Sequence, residues 1–139
     1  MLGPLHLDWF EKTNLRSGAT KTCIERVQQE AGVGFPPEYV SFIETSDGYE
    51  GSIGEGYVQL WLVQELLETN NGYGFGINAP GYFAIGADGG GESFGFHVQS
   101  KRFFMIPFIA TGWDDAIEVG LDFNELLTKL HDNKLFGGR

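Results

Sequence analysis

Residues 83–98 read Phe-Ala-Ile-Gly-Ala-Asp-Gly-Gly-Gly-Glu-Ser-Phe-Gly-Phe-His-Val, and this stretch restricts the fold more than any other. Two runs of aromatic and β-branched residues flank Asp88 to Glu92, a segment that only a turn tolerates. The three consecutive glycines accept positive φ without a Cβ clash, so the pattern predicts an antiparallel hairpin over Tyr82 to Val98 with Asp88 to Glu92 at its tip. The same tip argues against a phosphate cradle. Such a loop leads into a helix N-terminus and keeps a cation near the anion, whereas Ser93 to Val98 reads as strand and Asp88 and Glu92 repel phosphate.

Around the hairpin, periodicity places the other elements. Thr20 or Thr22 caps a helix reaching Ala31, with Ile24, Val27 and Ala31 on one face and Gly32 as the stop. Pro36 and Pro37 open a second helix carrying Tyr39, Phe42 and Ile43, which ends at Asp47-Gly48. Gly48 to Gly56 reads as a glycine-rich loop before a strand at Tyr57 to Trp61. A short helix follows, with Val63, Leu66 and Leu67 buried and Asn70-Asn71-Gly72 ending it, and then a loop over Tyr73 to Gly81. Phe103 to Ile106 joins the hairpin's sheet, and Ala116 to Val119 adds a short strand. Asp122 with Glu125 has the form of a capping box ahead of Phe123, Leu126, Leu127 and Leu130. Residues 1–19 form an arm or short helix anchored by Trp9 and Phe10. The sum is one α+β domain over residues 1–139, an antiparallel β-sheet with helices packed on it.

Net charge is −10, but its distribution says more. Between Arg26 and Lys101 there is no lysine or arginine, while ten carboxylates fall in that interval. Such a segment either serves solubility alone or opposes nucleic acid and anionic membranes and steers a basic protein inward. No apolar run approaches the roughly 20 residues of a membrane helix. Asp8 and Glu11 interrupt the N-terminus before a signal-like run develops, and the lone Cys23 fits a reducing, cytoplasmic compartment.

Catalytic and metal chemistry find little support in the residues. Asp88 with Glu92, or Asp114 with Asp115, offers carboxylates to a hard cation without the spacing of a calcium loop. His97 sits among strand hydrophobics, and His6 and His131 lack partners at ligand spacing. Cys23 lies beside core positions of its helix, where a thiol is ordinarily inert, so a dyad with His97 is disfavoured. Neither a metal, nor a cofactor, nor a catalytic residue is expected. Trp61 and Trp113 are core or rim aromatics that would anchor a partner if exposed.

The order of motifs resembles the SMI1/KNR4 family of the SUKH superfamily. The residues that carry it are Gly34-Phe-Pro-Pro-Glu-Tyr39 through Phe42 and Ile43 to Asp47-Gly48, then Trp61, then Phe83-Ala-Ile-Gly86 with Gly89-Gly-Gly91 and Phe94, then Phe123-Asn-Glu-Leu-Leu127. They span about residues 20–131. The resemblance implies an α+β fold and, for bacterial members, immunity proteins that neutralise toxins, many of them nucleases or deaminases. Fungal members act in cell-wall synthesis and its signalling.

Together these readings predict a module that binds a basic cognate toxin through acids on glycine-rich loops: Asp47, Glu50, Glu55, Asp88 and Glu92. Two alternatives differ in geometry. A small-ligand or metal-binding regulator would converge the loops around Asp47 and Asp88 into a pocket, and a hydrolase would place a base within hydrogen-bond reach of a nucleophile.

Overall fold

A computed structural model of the chain describes residues 6–109 and 112–135. Six strands form one antiparallel sheet in chain order: β1 Tyr49–Ile53, β2 Gly56–Leu60, β3 Tyr82–Ala87, β4 Glu92–His97, β5 Phe103–Pro107 and β6 Ile117–Gly120. The β3–β4 hairpin and its β5 neighbour stand where the turn chemistry places them, with Phe83 opposite Phe96 and Phe94 opposite Met105.

Among the described residues, five α-helices accompany the sheet: α1 Lys21–Ala31, α2 Pro37–Thr45, α3 Leu66–Tyr73, α4 Phe75–Asn78 and α5 Phe123–His131. Their ends follow from side-chain chemistry. Thr20 Oγ1 accepts the Cys23 N–H, and Gly32 closes α1 at φ 67°. Asp122 Oδ1 accepts the Glu125 N–H at 2.9 Å and opens α5. The Glu125 carboxylate lies 3.9 Å from Lys129 Nζ, one turn on.

The sheet buries both faces. Its inner face carries Phe83, Ile85, Phe94, Phe96, Phe103 and Met105 against Ile24 and Val27 of α1, Tyr39, Phe42 and Ile43 of α2, and Phe123, Leu126, Leu127 and Leu130 of α5. Its outer face supports a smaller cluster in which Phe75 and Ala79 cover Tyr82, Ala84 and Ile106, with Trp61, Phe104, Phe108 and Trp113 partly buried at its margin. Because both faces are covered there, β3 is buried along its whole length, and its sequence shows a continuous apolar run instead of alternation.

Two segments expected as loops are ordered. Within Gly48 to Gly56, Tyr49, Gly51 and Ile53 are buried and alternate with exposed Glu50 and Ser52, so β1 is a strand whose period is masked by glycine. Gly51 is there for close approach: a Cβ would fall 2.7 Å from Asn14 Nδ2 and 2.9 Å from Glu11 Oε1. These belong to the arm, which borders β1 through an isolated Phe10–Ile53 bridge and buries Phe10 against Phe42 and Tyr49. Residues 1–5 of the expected arm lie outside the described residues.

The second correction concerns Asn70, read as a helix terminator. It is buried, donates from Nδ2 to the Leu66 and Ala84 carbonyls at 2.8 and 2.9 Å, and accepts the Ala84 N–H on Oδ1 at 2.8 Å. The β2–β3 ladder pairs only Gln59 and Leu60 with Ala87 and Gly86, so Asn70 satisfies backbone groups of β3 beyond the end of β2. The helix therefore runs on to Tyr73, and α4 follows across Gly74 at φ 72° within the expected 73–81 loop. From the turn ahead of α3 into the helix, the buried positions are Val63, Leu66 and Asn70, while Leu67 is only half-buried.

Candidate functional site

Three of the five proposed acids lie around Tyr57 at one end of the sheet. In the β1–β2 register Ser52 stands opposite Tyr57 and Glu50 opposite Gln59, which leaves Tyr57 diagonal to Glu50. The exposed Tyr57 hydroxyl donates to Glu50 Oε2 at 3.1 Å. The hairpin tip closes over the same ring, since a Cβ on Gly89 would lie 2.9 Å from Tyr57 Cε1. Glu55 occupies the β1–β2 turn, whose N–H donates to the His131 carbonyl at the end of α5. Glu55, Tyr57 and Asp88 thereby line one cleft of about 150 Å³ with Leu130, Asn133 and Leu135.

Asp88 owes its position to its own turn. Its Oδ1 accepts the N–H groups of Gly90, Gly91 and Glu92 at 2.7, 3.1 and 3.1 Å, so one carboxylate oxygen orders the whole tip and the other stays available. Glu92 stands at the base of this tip, half-buried, on the side of β4 that also carries Phe94 and Phe96. Asp47 is not part of the cluster. It sits between α2 and β1, where Oδ1 accepts the Val63 N–H at 2.8 Å and caps the turn that leads into α3.

The other candidates are dispersed. Cys23 packs at the margin of the inner cluster and accepts a weak bond from the Arg26 guanidinium at 3.7 Å. His97 meets Ser100 Oγ at 3.1 Å and the Trp113 ring at 5.4 Å on the outer face, so the sheet separates it from Cys23. His6 and His131 sandwich Trp9, at centroid distances of 4.0 and 4.2 Å. Asp114 and Asp115 are exposed in one short turn after Trp113, whose indole N–H donates to the Pro80 carbonyl. Among the described residues no three His, Cys, Asp or Glu side chains gather as metal ligands. No helix among them is long and apolar enough to cross a membrane.

The sequence reading missed Tyr57 and Arg16. Tyr57 counted only as a strand residue, although a large aromatic at an outward position beside glycine-rich turns is a signal for exposure. Arg16 comes from the arm to line a shallow hollow with Glu50, so the cation-free interval of the sequence is not a cation-free surface. Among the described residues no ion pair joins the two.

With this geometry in place, the profile of the SMI1 / KNR4 family (SUKH-1) matches residues 18–129. The chain belongs to that family. No curated protein matches it at a significant level. SUKH-1 domains are generally non-enzymatic modules of the immunity-protein type, and the six-stranded sheet with its helices is the α+β architecture consistent with that membership. In this SUKH-1 chain the exposed Glu50 and Glu55 and the half-buried Asp88 lie around Tyr57 at one end of the sheet.

Proposed function

We propose that this chain is an immunity-type module that binds and neutralises a basic protein toxin, of nuclease or deaminase type, through Glu50, Glu55 and Asp88 around Tyr57. The observation that carries this reading is the gathering of those three side chains on strand β1, the β1–β2 turn and the β3–β4 tip about one exposed aromatic ring. A nuclease that contacts phosphates carries the opposite charge in its cleft, and carboxylates fixed on strands and tight turns meet it with little loss of side-chain freedom. The ring supplies apolar area at the centre of the charged group.

Asp47 stands apart from this reading because its carboxylate caps the turn at Val63. A pocket built between Asp47 and Asp88 is disfavoured by the same bond, since each carboxylate turns to its own backbone. The test is to titrate the chain against the toxin encoded beside its gene and to follow both affinity and residual toxin activity. Glu50→Gln with Glu55→Gln is expected to weaken binding about tenfold, in line with the loss of two charge contacts at the edge of an interface. Full protection by the double variant would refute the assignment of these acids.

A further inference from the structure

The outer face continues past the acids into an aromatic shelf. Buried Val58 and Leu60 alternate with Tyr57, Gln59 and Trp61, and the Trp61 N–H extends the ladder by donating to the Ile85 carbonyl at 3.0 Å. Tyr57 and Trp61 thus lie on one side of the sheet, four residues or roughly 13 Å apart at the rise of a strand. Beyond Trp61 the Phe108 ring lies with its centroid 6.4 Å away, and Tyr73 packs tilted against Phe108 with centroids 4.5 Å apart. Tyr73 is 46% exposed and Ile77, one turn on, is 85% exposed, so this margin of the outer cluster is open. Arg102, on the same face, is engaged 2.9 Å from Glu118 and does not compete for the rings.

Resting on the reading that the partner is a basic protein, we infer that Trp61, Phe108 and Tyr73 form its arginine-reading half, on which guanidinium groups of an extended partner segment stack while neighbouring cations pair with Glu50 and Asp88. Charge complementarity and reach select this occupant. A guanidinium is planar and weakly hydrated, so it can lie on an indole or phenol face and still present its edge to a carboxylate, whereas an ammonium holds its water. The row from Glu50–Tyr57 to Trp61 is the length of about four extended residues, which lets one short segment use both halves. A purely apolar partner would leave the adjoining carboxylates without counter-charges.

The experiment is an NMR titration of the full chain with two peptides of equal length and charge, one alternating arginine with glycine and one alternating lysine with glycine. The arginine peptide is expected to bind about fivefold more tightly, the ratio that one exposed cation–π contact supplies. Its largest shifts are expected at the Trp61 indole N–H and the Tyr73 and Phe108 amides. Tyr73→Ser, at a half-exposed site, should erase the preference and keep the salt dependence, while Glu50→Gln should weaken both peptides alike. Equal affinities in the native chain that still fall in Glu50→Gln would overturn this inference and leave the acidic docking face standing. Failure of both peptides to bind would overturn this inference, and if Glu50→Gln also left toxin binding unchanged, both readings would fall.

Discussion

The Trp9 indole stacks on the His131 imidazole with ring centroids 4.2 Å apart and planes 26° from parallel, which fastens the N-terminal arm to the end of α5. The same imidazole reaches Asp132 Oδ1 at 2.9 Å, and the His131 carbonyl holds the β1–β2 turn that carries Glu55. Arm, last helix and the turn that carries Glu55 therefore share one junction. Trp9→Ala should cost about 2 kcal/mol, from lost stacking and half-buried area. Hydrogen exchange should show the loss first in β1 amides such as Ser52, which donates to Glu11 at 2.7 Å, with β4 protected. Uniform loss across the sheet would show that the arm has no local role.

Two buried tyrosines should respond oppositely to loss of their hydroxyls. Tyr39 Oη is buried without a hydrogen-bond partner among the described residues, so Tyr39→Phe should be neutral or stabilising by up to about 1 kcal/mol. Tyr82 donates to Ser93 Oγ at 2.7 Å, and Ser93 in turn donates to the Ile106 carbonyl at 2.8 Å, a chain across β3, β4 and β5. Tyr82→Phe breaks it and should cost about 1 kcal/mol in urea unfolding.

Alkaline pH tests the same pair. Burial pushes both hydroxyls well above the ordinary tyrosine range, reinforced by Asp47 near Tyr39 and, against the lowering effect of Ser93, by Glu92 near Tyr82. A folded-state pKa raised above the unfolded value means that the folded chain holds protons the unfolded chain releases. Their contribution is intact below about pH 10 and falls above it, by about 1.4 kcal/mol per pH unit for each tyrosine. Stability curves from pH 9 upward should lose about 1.4 kcal/mol per pH unit of their slope in Tyr39→Phe, by the same relation. An unchanged slope would show that Tyr39 does not contribute.

Asp47 and Asp88 should behave as structural acids and Glu50 as a surface acid. Asp47→Ala removes the cap on the Val63 amide, and Asp88→Ala leaves three amides of the tip without their shared acceptor, so each should lose about 1–2 kcal/mol. Glu50→Gln should stay within about 0.5 kcal/mol of the native chain. Equal losses at Glu50 and Asp88 in chemical denaturation would contradict this division.

What the sequence revealed, and what it hid, divides by the range of the interaction involved. Gly89 to Gly91, Thr20, Pro37 and Asp122 act on backbone a few residues away, and their effects on turn and helix ends were readable. Strand β1 was not, because what makes it a strand is the arm pressed on Gly51 and the pairing of Tyr49 with Leu60, both remote in sequence. Asn70 looks like a terminator locally, yet its amide bonds to Ala84 across fourteen residues decide its role. Around Tyr57, the acids beside the two glycine-rich turns were legible as candidates. Their sorting into a cluster of Glu50, Glu55 and Asp88 and a structural Asp47 depended on registers that composition does not encode.

Arg16 supplies a separate check, since it lines a hollow with Glu50 and opposes the approach of a basic partner. Arg16→Gln should raise the association rate about twofold to threefold at low salt and change dissociation little. A slower association would mean that Arg16 itself contacts the partner.

The most direct measurement is the association rate with the basic partner across ionic strength, for the native chain and for Glu50→Gln with Glu55→Gln. Screening shortens from about 10 Å at 0.1 M salt to about 3 Å at 1 M, so steering by these acids should vanish over that range. The native rate should fall at least about tenfold and converge on that of the double variant, whose rate should be low and nearly flat, with dissociation altered less. A native rate insensitive to salt, or a double variant with the native salt dependence, would contradict the docking of a basic partner on the face around Tyr57.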